Sequence, residues 1–77
     1  MKYDYSILNS RMWNKLIDDW ILNERDRAIL KRRIIDGVKY EKLAEEFDLS
    51  VIQIVRIVNK HRDDLFRIIM VVTPIEE

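Results

Sequence analysis

Chain breakers are so scarce in this sequence that each marks where an element stops. One glycine (Gly37) and one proline (Pro74) occur in 77 residues, and between them run long stretches with apolar side chains at spacings of three and four. That spacing places the apolar groups on one face of a helix, so the expected fold is all-α, a small bundle of about four helices. A chain of this length supports one hydrophobic core, and residues 1–77 are read as one domain. There is no cysteine to staple it, so stability must come from helix packing, helped by self-association where that occurs.

The first helix is expected over 10–21, with Met12, Trp13, Leu16, Ile17, Trp20 and Ile21 on one buried face and both tryptophans as core anchors. Asn23 is a good N-cap for the second, Glu24 and Asp26 suit its first turn, and Lys31, Arg32 and Arg33 suit its last. Gly37 closes it by taking a left-handed conformation without a Cβ penalty. A short third helix follows over 40–47, with Leu43, Ala44 and Phe47 inward. Asp48, Leu49 and Ser50 break it, and Ser50 with Gln53 forms a capping box for the fourth helix. Val51, Ile54, Val55, Val58 and Leu65 carry that helix to Arg62 and allow it to continue. Residues 65–72 fit a helix extension and a β-strand alike, because Ile and Val favour strands.

Fourteen basic and fourteen acidic side chains cancel, which at first argues against nucleic acid. The charge is segregated, however. Residues 51–62 contain Arg56, Lys60 and Arg62 and no carboxylate, while 38–50 and 63–77 are acidic.

Enzymatic chemistry finds no foothold. The pairs Asp18–Asp19, Glu45–Glu46 and Asp63–Asp64 are adjacent on helices, so their side chains diverge by about 100° instead of converging on a substrate. The serines have no base beside them, and no glycine-rich phosphate loop is present. His61 is the only histidine; a surface position near a helix end is expected for it, and neither a metal nor a cofactor is implied. The longest apolar run, 68–72, is far short of a membrane span, and no signal-peptide pattern opens the chain. The expected location is the cytoplasm.

A short helix, a three-residue turn and a capped second helix, together about 39–62, have the pattern of a helix-turn-helix. Ala44 is small where the helices cross, Leu49 plugs the angle between them, and Ile54 and Val58 bury the back of the second helix. Segments 23–30 (NERDRAIL) and 36–50 (DGVKYEKLAEEFDLS) resemble region 4 of the sigma-70 family, over about residues 20–66. The chain is also similar to small sigma-like regulators of phages and mobile elements in Firmicutes. No polymerase-core-binding region 2 is evident, so the resemblance implies a stand-alone module that binds double-stranded DNA and regulates transcription, not a complete sigma factor. Its recognition helix enters the major groove.

On that reading Ile52, Gln53, Arg56 and Asn59 contact base edges: Gln suits adenine, Arg suits guanine, and an exposed Ile meets a thymine methyl. Lys39, Tyr40, Ser50, Lys60 and Arg62 contact phosphates, and Arg32 and Arg33 are further candidates. Two departures from the family pattern stand out. Lys39 occupies the usual Ser/Thr N-cap of the third helix, and Ile52 stands where a basic residue is common. Together with Ile57 and the apolar tail within 63–77, Ile52 supports an alternative: an interaction module that kept the scaffold and binds RNA polymerase, a host defence protein or its own copy. A homodimer through the first helix and residues 65–72 serves either reading.

Overall fold

The structure is a computed structural model that describes the backbone of residues 5–72 and the side chains of residues 5–69. A 3-10 turn, Tyr5–Ile7, precedes four α-helices: α1 (Ser10–Trp20), α2 (Glu24–Ile34), α3 (Tyr40–Phe47) and α4 (Val51–Val72). No strand occurs among the described residues, so 65–72 is helical. Leu65 and Ile69 keep the helical period of the buried residues upstream, and the bundle overrides the local strand preference.

Local caps explain most of the boundaries. The Asn23 side chain accepts the Asp26 amide (3.0 Å), opening α2. Asn9 does the same for α1, from Met12 (2.8 Å), a cap that the apolar spacing does not reveal. Helix α2 ends at Ile34, three residues before Gly37, with Ile35 as its C-cap. Gly37 takes φ +71 and no atom crowds the place of a Cβ, so it is needed for its backbone angle alone. Asp48 is the one non-glycine residue with positive φ (56) among the described residues. Asp tolerates this left-handed conformation better than most residues. There it caps α3, and the Leu49 amide returns to the Ala44 carbonyl (3.0 Å).

Helix α4 is the spine, packed on α3 and α2, while α1 lies mainly on α2 and touches α4. Trp13, Ile17, Ile29, Leu30, Leu43, Ile54, Val58 and Leu65 are buried in one cluster. The rings of Tyr5, Trp13 and Phe66 stack edge-on or tilted at 5.6–6.0 Å between centroids, and Trp13 Nε1 donates to the Tyr5 carbonyl (2.7 Å). The N-terminal arm is thereby clasped to the later part of α4.

Two expectations are corrected. Trp13 is buried (2% exposed), but Trp20 is 57% exposed and Met12 50%. The core touches α1 along Trp13 and Ile17, so the row Met12, Leu16, Trp20 lies at the outer margin of the apolar face. In the tail, Leu65 and Ile69 are buried and Phe66 is half-buried. Leu65, Phe66 and Ile69 are therefore used by the chain's own core and are not the free apolar surface expected of them for a dimer. The side chains of 70–72, and the tail beyond, lie outside the described residues.

Candidate nucleic-acid interface

The outward face of α4 is set by what the helix buries. Ile54 and Val58 are fully buried against α2 and α3. At about 100° per residue, this turns Ile52, Arg56, Asn59 and Lys60 onto the opposite side, within roughly 100° of arc. Ile52, Arg56 and Lys60 are exposed, and Asn59 is half-buried. Asp63 follows Asn59 one turn later on the same side, so the carboxylate-free stretch ends there.

The capping box forms as expected. Ser50 Oγ accepts the Gln53 amide (3.1 Å), and Gln53 Oε1 accepts the Ser50 amide (2.9 Å). Gln53 is thus folded back on the helix start, and Arg56 is the polar side chain near that end that projects from α4 itself. Lys39 opens α3 without a side-chain cap hydrogen bond, as its chemistry requires.

The remaining phosphate candidates divide by surroundings. Lys60 and Lys39 are exposed. Tyr40 lies under the Arg33 guanidinium, 4.3 Å from its ring centroid, and Arg33 also donates to the Val38 carbonyl (3.0 Å). That pair braces the α2–α3 turn. Arg62 is half-buried; burial opposes its charge, yet the hydrogen bond with Tyr5, aided by Tyr40 and Asp63, leaves its pKa raised. Arg32 forms a two-pronged pair with Glu46, Nε to Oε1 at 3.1 Å, and also reaches Asp36 (3.2 Å). The Glu46 hydrogen bond raises Arg32 and, reciprocally, lowers Glu46. This offsets one carboxylate's charge on the acidic outer side of α3, where Glu41 and Glu45 stay exposed.

His61 is not a surface residue. Its side chain is 18% exposed and its Nε2 donates to Asp26 Oδ2 (2.8 Å), joining α4 to the first turn of α2. Asp26 Oδ1 takes Arg25 (3.2 Å). The signal for this pair lies 35 residues apart in sequence, and only the crossing of the helices brings it together. Among the described residues no three His, Asp or Glu side chains gather as metal ligands would, and no helix is long and apolar enough to cross a membrane.

No family model, curated protein or solved structure matches the chain.

Proposed function

We propose that the chain is a helix-turn-helix transcriptional regulator, without enzymatic activity, that reads the major groove of double-stranded DNA with residues 51–62. One observation carries this reading: Ile54 and Val58 are fully buried, which turns the carboxylate-free side of α4 outward. The left-handed Asp48 and the three-residue connection from α3 to α4 are compatible with the motif. Arg56 is the principal base reader, Ile52 supplies apolar contact to a thymine methyl, and Asn59 stands one turn further along. Lys60 and Lys39 hold phosphates. Gln53 serves first as a cap, and any base contact from it is made from that folded-back position.

Selection of binding sites from a random duplex pool, at several salt concentrations, tests the proposal. Binding should weaken steeply with salt as counterions are released. Arg56→Ala should relax sequence preference at one position, a loss of about 1–3 kcal/mol, whereas Lys60→Ala should weaken all sequences alike. Binding that is undetectable, or indifferent to salt, would refute it.

A second reading has its own support. Ile52 is 66% exposed and Val51 lies beside it, also exposed, and apolar groups at a helix start mark protein contacts too. In that case Ile52→Lys abolishes capture of a protein partner, and the duplex pool returns no preferred sequence.

A further inference from the structure

Helix α1 carries a row of apolar side chains that the other described residues cover only in part. Met12, Leu16 and Trp20 recur every four residues, two of them half or more exposed and Leu16 partly so. Beside that row, one residue earlier at each step, run Arg11, Lys15 and Asp19, all exposed. The next carboxylate, Asp18, is already tied to Lys31 of α2 (2.6 Å), which marks the α2 side of the helix and leaves the apolar row facing away from it.

We propose that this row is covered by α1 of a second copy of the chain, packed antiparallel about a two-fold axis near Leu16. The row spans about 12 Å, with Leu16 at its midpoint. Antiparallel pairing therefore sets Leu16 on Leu16 and Met12 on Trp20, a sulfur–aromatic contact made twice. The flank is basic at its start and acidic at its end. The same arrangement brings Arg11 and Lys15 of one protomer to Asp19 of the other, because the antiparallel two-fold keeps the two flanks on one side and reverses their order. Within one chain Lys15 and Asp19 lie 3.3 Å apart, but both side chains are at least half exposed. A pair that weak exchanges partners at little cost. The surface is small, so the dimer is a weak one that assembles as concentration rises. This inference goes beyond the DNA-binding reading and does not rest on it, because mass in solution is measured with no DNA present.

Sedimentation equilibrium of the full chain over a wide concentration range tests it. The expected result is a monomer–dimer equilibrium. Trp20→Glu should weaken it roughly thirtyfold or more, because it removes the largest apolar group of the contact twice and sets a charge in its place. The double change Arg11→Glu with Lys15→Glu should also weaken it, and adding Asp19→Lys to that double should restore it. All four positions are exposed, and unchanged helical circular dichroism confirms that the variants are folded. A chain that stays monomeric throughout overturns the proposal, as does a dimer indifferent to Trp20→Glu. Failure of Asp19→Lys to rescue overturns the antiparallel order.

Discussion

Residues 51–60 and 61–69 belong to one helix but meet different surroundings on the side away from the core. In the first stretch only one side is covered: Ile54 and Val58 face α2 and α3, and Ile52, Arg56 and Lys60 stand in solvent. The second stretch is wrapped further round. His61 reaches Asp26, Arg62 meets Tyr5, Phe66 lies against Tyr5 and Trp13, and Leu65 and Ile69 are buried. One half of the rod displays side chains and the other is held by them. Substitutions in the first half should alter recognition, and those around the second should alter stability.

The largest break in this contrast should come from Trp13→Ala, which empties the clasp around the second half. The expected loss is about 3–5 kcal/mol, a large share of what a chain this short possesses, and thermal denaturation reads it directly. Next is His61→Ala, which leaves the sheltered Asp26 carboxylate without its partner from α4. Destabilisation of about 1–3 kcal/mol is expected in chemical denaturation; a neutral result would show that Asp26 is satisfied by Arg25 alone. Ser50→Ala removes half of the capping box and should cost about 1 kcal/mol. It also leaves Gln53 less firmly held at the helix start, so any change in base preference would show as a shift in the selected sites.

The smallest effect concerns Arg32 and Glu46, an exposed latch from α2 to α3, in contrast to the sheltered His61–Asp26 pair. Arg32 lowers the Glu46 pKa, so their contribution is in place above the ordinary carboxylate range. It is lost as pH falls through the lowered value. Melting curves of the native chain and Glu46→Gln should therefore differ at neutral pH and converge in acid.

What could be read from sequence was whatever a few neighbouring residues decide. Helix α3 begins at Tyr40 and ends at Phe47 as expected, and the Ser50–Gln53 box and the Asn23 cap form, because each depends on groups three residues apart. The outward side of α4 follows likewise from its 3.6-residue period. The exposure of Trp20 does not follow from periodicity, which groups it with Trp13 and says nothing about how far the core extends along α1. Nor does the Asp26–His61 pair, which exists only once α2 and α4 cross. The placing of Gln53 was half legible: its spacing from Ser50 announced the cap, but what the cap takes from the proposed base contact becomes visible only when its Oε1 is found occupied.

Helix α4 runs without interruption for 22 residues, about 33 Å, and so behaves as a lever. Ile52 lies about 21 Å along the axis from Phe66, so a tilt of about 5° at the clasp displaces it by roughly 2 Å, about half of one base-pair step along a duplex strand. On the proposed DNA-binding role, Tyr5, Trp13 and Phe66 form the mount that aims Ile52 and Arg56 without touching a base themselves. Loosening that mount while the fold survives would blur which bases are read before it weakened the grip on the phosphates.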